Sequence, residues 1–152
     1  MKALIVCTSV SHGNTRRIAD AMGRALRARV VDPGQVDPEE LSGFDLVGFG
    51  SGIYLRRFHP RLRRFVRALP ADGHGRAFVF ATSGLPGVPF RPLERALGQK
   101  GFRVDGAFSC RAFDTFLPFR LVGGLHKGLP GPADLDAAHA FAERLARRST
   151  KA

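Results

Sequence analysis

Three short apolar runs constrain this chain more than any other feature: 3–8 (ALIVCT), 44–50 (FDLVGFG) and 77–82 (AFVFAT) are continuous rather than alternating, and each leads into a loop containing Gly or Ser. A strand reads this way when both of its faces are covered, as happens where helices pack on the two sides of a parallel sheet. Helix-period segments lie between the runs. Ile18, Ala21, Met22, Ala25 and Leu26 share a stripe in 14–28, Leu62, Phe65, Val66 and Leu69 share one in 60–69, and Leu93, Ala96 and Leu97 form a weaker one in 91–100. Residues 134–148 carry Leu135, Ala138, Phe141, Ala142 and Leu145, with Asp134 and Asp136 in the first turn and Arg144, Arg147 and Arg148 in the last, as the helix dipole favours.

Two further strands complete the pattern. Residues 28–32 (ARVVD) end at Pro33, and 102–110 (FRVDGAFSC) alternates as expected of a strand at a sheet edge. The order β-α-β-β-α-β-α-β-α predicts an α/β three-layer sandwich with right-handed crossovers. Residues 33–43 and 111–131 lack clear periodicity, and the second is long for a connector, which marks it as a functional loop or an unread element. At 152 residues the chain is expected to form one domain over 1–152, burying roughly 68–70% of its unfolded surface. A composition of 44% hydrophobic and 24% charged residues excludes a disordered tail and a disulfide scaffold. No apolar run approaches the ~18 residues of a membrane span, and residues 1–8 lead into a Gly-Asn-Thr loop rather than a signal cleavage site. A soluble, cytoplasmic protein with reduced Cys7 and Cys110 and no zinc spacing is expected.

The charge is unusual: Lys+Arg 24 against Asp+Glu 13 gives +11, with lysine only at Lys2, Lys100, Lys127 and Lys151. Genome composition accounts for such arginine usage as readily as a selected anion-binding face does, so the excess has to be located before it is interpreted.

The first strand runs into Ser9–Thr15 (SVSHGNT) and then directly into a helix. Amides at a helix N-terminus attract anions, Gly13 permits close backbone approach, and Ser9, Ser11 and Thr15 add hydroxyls, which together make a phosphate cradle. No Gly-Lys-Ser/Thr follows, so it is not a Walker loop, and a single glycine does not make a dinucleotide fingerprint. Arg16 and Arg17 stand in the first helical turn, where positive charge is unfavourable without an anion nearby. The structural alternative is an ordinary turn capped by Asn14 or Thr15.

A strand ALIV, a hydroxyl-rich loop ending in Gly-Asn-Thr and a following helix resemble the FMN-phosphate loop of the flavodoxin family, and the rest of the chain follows in register. The resemblance covers essentially the whole chain. It implies a five-stranded parallel sheet of order 2-1-3-4-5 and an FMN held by loops at the carboxyl ends of strands one, three and four. Here those loops are Ser9, Val10, Ser11, His12, Gly13, Asn14 and Thr15; then Ser51 to Phe58, with Ser51, Gly52, Ile53 and Tyr54; and Thr82 to Phe90, with Thr82, Ser83, Gly84 and Phe90. The first loop departs from the family's Ser/Thr-x-Thr-Gly-x-Thr by one extra residue, with His12 before Gly13. Family members commonly stack the ring between aromatics. This chain has no Trp, and its lone tyrosine, Tyr54, is the stacking candidate beside Phe90. Thr82, Ser83 and Gly84 are suited to the polar pyrimidine edge.

Receiver domains share such a sheet but need clustered acids after strand one and an Asp after strand three. Cys7-Thr8-Ser9 and Gly50-Ser51-Gly52 stand there instead, which excludes phosphoacceptor signalling. The basic excess concentrates in 54–69, where Arg61, Arg63, Arg64 and Arg67 read as a solvated outer helix face. Arg56 and Arg57 fall in the flavin loop. A positive charge ~10 Å from the ring favours reduced, anionic flavin by about 1 kcal/mol before salt screening, or about 40 mV for one electron. The direction is away from a low-potential shuttle and toward acidic partners or anionic substrates. His12, His59, His74, His126 and His139 are dispersed without a ligand-like pair, and Cys7 and Cys110 end strands too far apart for a disulfide.

The reading is an FMN-binding flavodoxin-like redox protein with a redox partner protein and no catalytic nucleophile. Its rival is an FMN-dependent oxidase or reductase, similar to the flavodoxin-like protoporphyrinogen oxidases, with an anionic substrate met by Arg56, Arg57 and Arg111. A basic nucleic-acid-binding module rests on net charge alone and lacks any recognised motif.

Overall fold

The structure, a computed structural model, describes residues 1–9, 13–71, 75–111 and 130–150. The elements in chain order are β1 (Ala3–Thr8), α1 (Asn14–Leu26), β2 (Arg29–Val31), two 3-10 turns (Pro33–Gln35 and Pro38–Gly43), β3 (Leu46–Tyr54), β4 (Arg57–Phe58), α2 (Pro60–Arg67), β5 (Arg76–Ser83), α3 (Arg91–Gln99), β6 (Arg103–Arg111) and α4 (Pro132–Thr150). The sheet order is β2-β1-β3-β5-β6, all parallel. This is the predicted doubly wound order, renumbered because the two-residue β4 pairs antiparallel with the end of β3. No helix of the described residues is long and apolar enough to cross a membrane.

The unread segment 33–43 folds into the two 3-10 turns, each opening on an Asp-Pro pair. The Asp32 carboxylate accepts from the Gly34 amide at 2.9 Å while the Gln35 side chain accepts from the Asp32 amide at 2.8 Å, a reciprocal cap. Leu41, fully buried, pins the second turn to the core. Most of the other unread segment, 112–129, lies outside the described residues.

Strand alternation divides the core into two layers. Leu4, Val6, Val47, Phe49, Ala77 and Val79 face α2 and α3, whereas Ile5, Cys7, Phe78 and Phe80 face α1 and α4. On this second face β3 presents only glycine at positions 48, 50 and 52. The vacancies are filled by β5: a Cβ at Gly48 would sit 2.3 Å from the Phe78 ring, and one at Gly50 2.3 Å from the Phe80 ring. The aromatic layer continues through Phe141 of α4 to Phe108 of β6, at ring separations of 5.9 and 5.6 Å.

One expectation needs correction. Strict alternation over 102–110 would put Phe102, Val104, Phe108 and Cys110 on one face. Instead the β5–β6 register slips between Ala77↔Val104 and Val79↔Ala107, so β6 carries one extra residue there. A one-residue insertion reverses the facing of everything after it. Phe102 and Val104 therefore join the α2/α3 layer, and Phe108 and Cys110 the α1/α4 layer. Beside this bulge Asp105 takes ion pairs from Arg76 and Arg103, while Arg76 and Arg148 donate to the Leu145 and Asp105 carbonyls at 3.0 and 2.8 Å. Burial opposes ionisation of Asp105, but the hydrogen bonds from the two arginines outweigh it and hold the pKa below the usual carboxylate range.

The glycine lane makes a direct prediction. Gly50→Ala drives a methyl into the Phe80 ring and should lower stability by about 1–3 kcal/mol in urea denaturation. Adding Phe80→Leu should recover part of that loss; an unaltered midpoint in Gly50→Ala would mean that β5 does not occupy the lane.

Candidate functional site

The carboxyl ends of β1, β3 and β5 are adjacent in the sheet, so the three loops singled out from sequence converge on one rim. Val10, Ser11 and His12 lie outside the described residues. Gly13 is the N-cap of α1, with φ 69°, in the left-handed region, and it supplies no capping side chain. The alternative of an ordinary turn capped by Asn14 or Thr15 therefore does not hold: both are already inside the helix, and both are buried. A glycine at this position adopts the left-handed turn without strain, and a Cβ built there meets nothing within 4 Å among the described residues. The Ser9 hydroxyl accepts from the Arg16 amide at 3.2 Å, drawing the start of the loop back against the first turn.

Two hydroxyls beneath this turn were named separately from sequence and prove to be partners. Thr15 Oγ1 and Thr82 Oγ1 lie 2.7 Å apart and buried, joining the first turn of α1 to the end of β5 across Gly52, the register partner of Thr82. On the opposite face, Thr8 at the end of β1 is buried, and among the described residues its Oγ1 has no hydrogen-bond partner. Arg16 and Arg17 do not supply the expected evidence for an anion. The Arg16 guanidinium pairs with Asp20 at 3.1 Å and Arg17 donates to the Pro130 carbonyl at 2.6 Å, so each has its own reason to be in the first turn.

In the second loop Ser51 is fully buried: its hydroxyl donates to the Gly52 carbonyl at 2.7 Å and accepts from the His59 amide at 3.0 Å. That pair holds the chain after the hairpin against β3. Ile53 packs on the α2/α3 layer, while Tyr54 folds back along the strand, its hydroxyl 3.0 Å from where a Gly52 Cβ would be. Its ring meets His59 edge-on at 5.5 Å. The two residues turning the hairpin, Leu55 and Arg56, have φ of 50° and 63°. Positive φ at both central positions is what a tight two-residue hairpin requires, normally met by Asn-Gly or Asp-Gly, and here the tip holds a leucine that is 80% exposed. Without that dipeptide signal the hairpin was not readable from sequence.

In the third loop the Ser83 hydroxyl accepts from the Leu85 amide at 3.1 Å, and the Gly84 carbonyl accepts from Arg111 at 3.2 Å. Arg111 thus braces this loop from β6, on the other side of the rim from Arg56 and Arg57. Phe90 precedes α3 and packs on Phe58 at 5.8 Å, as part of the α2/α3 layer. Cys7 and Cys110 are both free, and burial pushes each thiol up to about 12.

His59, one of the dispersed histidines, is the N-cap of α2: its Nδ1 accepts from the Arg61 amide at 3.1 Å. Burial first, then Arg61 and Arg64, lower its pKa below the ordinary 6.5. The folded state therefore releases this proton more readily than the unfolded chain, so the contribution to stability is present above pH ~6.5 and is lost as pH falls through the folded value. His59→Ala should cost about 1 kcal/mol at pH 7.5, whereas His59→Asn keeps a capping acceptor and should flatten the decline in stability below pH 6.5. An acid limb as steep in His59→Asn as in the parent would assign that decline to other groups.

Residues 5–87, more than half of the chain, match the family described as "Flavodoxin domain". An uncharacterized protein of Methanocaldococcus jannaschii is 35% identical over 148 residues, covering 95% of this chain and 98% of its own. Among solved structures, a flavodoxin from the domain Archaea superposes with a TM-score of 0.73 at 17% identity, over 97% of this chain and 98% of that one. Oxidised flavodoxin 1 from Bacillus cereus gives 0.72 at 18% identity, over 96% and 98%. The structural likenesses establish the fold, the family match reaches from β1 into the third loop, and on these grounds the chain belongs to the flavodoxin family.

Proposed function

We propose that this protein binds FMN across the three loops and transfers electrons through it to a redox partner protein. Family membership implies a flavin cofactor. The observation that carries the FMN reading is the construction of the α1 entrance: a left-handed glycine N-cap without a capping side chain, standing over the buried hydroxyls of Thr15 and Thr82, with the buried Thr8 hydroxyl at the end of β1 on the other face. The Thr8 hydroxyl, unpartnered among the described residues, fits a polar group arriving from outside the chain, since a buried hydroxyl left unpaired is costly.

Bound FMN supplies the one- and two-electron chemistry, while the protein orients the group and sets its electrostatics. The backbone at Gly13, Asn14 and Thr15, with the hydroxyls of Ser9 and Ser11, would hold the phosphate. Tyr54, with Gly52 and Ile53 beneath it, would flank the ring, and the backbone of Thr82, Ser83 and Gly84 would meet its pyrimidine edge. Phe90, packed on Phe58, would back the third loop.

A second reading, an FMN-dependent oxidoreductase with an anionic substrate, is favoured by Arg56 and Arg57. Both are exposed on the hairpin next to Tyr54, and neither joins an ion pair among the described residues.

The purified protein should show flavin absorption bands, release FMN on denaturation, and bind FMN far more tightly than riboflavin. Gly13→Val, which places a branched side chain at φ 69°, should abolish FMN retention with the far-ultraviolet dichroism unchanged. Equal affinities for FMN and riboflavin would refute the phosphate-loop assignment. If Arg56 and Arg57 favour reduced flavin, changing both to Gln should lower the potential of the second electron by some tens of millivolts at low salt, and added salt should shrink the shift. Arg144→Gln with Arg147→Gln is the control of equal charge; equal shifts in the two double variants would leave the hairpin arginines without a special role.

A further inference from the structure

Beside the second and third loops, the described residues contain a cavity of about 450 Å³ between α2 and α3, within the roughly 300–1,000 Å³ of small-molecule sites. Four arginines rim it: Arg56 and Arg57 from the hairpin, Arg63 and Arg67 from α2. Its floor and walls are Phe58, Val66, Leu93 and Ala96, with Pro89 and Pro92, and no acidic residue is among them. The prolines contribute no backbone N–H, so donors on this surface come chiefly from the guanidinium groups.

We propose that this cavity is a binding site for a small apolar molecule bearing two or more carboxylate or phosphate groups. Arg63 and Arg67 are one helical turn apart, a like-charge spacing that destabilises a helix unless an anion stands between them. Another arginine of α2 does find a carboxylate: Arg61 pairs with Asp32, the N-cap of the 3-10 turn Pro33–Gln35. None of the four arginines of the cavity has an acidic partner among the described residues. Arg63 is fixed by donating from Nε to the Phe58 carbonyl at 3.0 Å, which anchors its planar fork at the wall. A simple inorganic anion would leave the apolar floor wet, and a neutral hydrocarbon would leave the cations facing one another. An apolar body with at least two anionic ends satisfies both. The site needs no flavin, but it shares Arg56–Phe58 and Pro89 with the second and third loops, so an occupant would lie against the elements assigned to the ring.

Biphenyl-4,4′-dicarboxylate is a suitable probe, titrated calorimetrically into the full chain, with biphenyl-4,4′-dicarboxamide and succinate as the charge-free and floor-free comparators. One-to-one binding of the dicarboxylate is expected, at least tenfold tighter than either comparator. Arg63→Gln with Arg67→Gln should weaken it tenfold or more, and Arg24→Gln with Arg144→Gln, of equal charge but on α1 and α4, less than threefold. Ala96→Trp, which plugs the cavity without altering charge, should abolish binding, and it carries the test if the arginine variant fails to fold. Equal weakening in the two arginine pairs, unchanged binding in Ala96→Trp, or succinate binding as well as the dicarboxylate would overturn the proposal. All of these readouts are independent of FMN affinity, so failure here leaves the flavin assignment standing.

Discussion

The seating of Phe78 and Phe80 against Gly48 and Gly50 is the contact on which the rest of this molecule depends. A parallel sheet covered on both faces must fill each layer to crystal-like density, and here one strand gives up its side chains so that its neighbour can supply rings. The glycine lane continues past the buried layer to Gly52, where the Tyr54 ring occupies the space and the Thr82 hydroxyl reaches across to Thr15. The same alternation that packs the core thus delivers an aromatic ring, two hydroxyls and a helix entrance to one rim.

Much of this was legible in sequence, for identifiable reasons. β1 coincides with the apolar run 3–8, and the helices begin within a few residues of their predicted positions, because continuous apolar runs and 3.6-residue stripes are strong signals. What escaped reading had weak or misleading local signals. The hairpin at Leu55–Arg56 lacks turn residues, and the pairing of Thr15 with Thr82 spans 67 positions. The bulge in β6 had a cue in Gly106, since an isolated glycine inside a strand often marks a bulge. The α1 cap falls on Gly13 although Asn14 and Thr15 are the better capping side chains, because the left-handed turn suits glycine.

Locating the basic excess divides it. Arg17, Arg61, Arg76, Arg111 and Arg148 hold carbonyls or carboxylates of other segments and serve as cross-braces, while Arg16 and Arg103 pair with Asp20 and Asp105 of their own elements. Arg56, Arg57 and Arg67 are exposed around the cavity instead, with Arg63 anchored at its wall. Sequence set Arg56 and Arg57 apart in the flavin loop but read Arg63 and Arg67 as an outer helix face, because helical phase reports which side a residue lies on and not what stands opposite.

The slip in β6 has a consequence beyond its effect on the core. Among the described residues β6 is the last strand of the sheet, and an uninterrupted row of outward amides and carbonyls would template the addition of another chain. The extra residue breaks that row in its middle, and Arg103, Asp105 and Arg111 add charge along it. At the opposite margin β2 is only three residues long and is followed closely by Pro33. Among the described residues the two ends of the sheet therefore discourage intermolecular strand pairing by different means, one by irregularity and charge, the other by brevity.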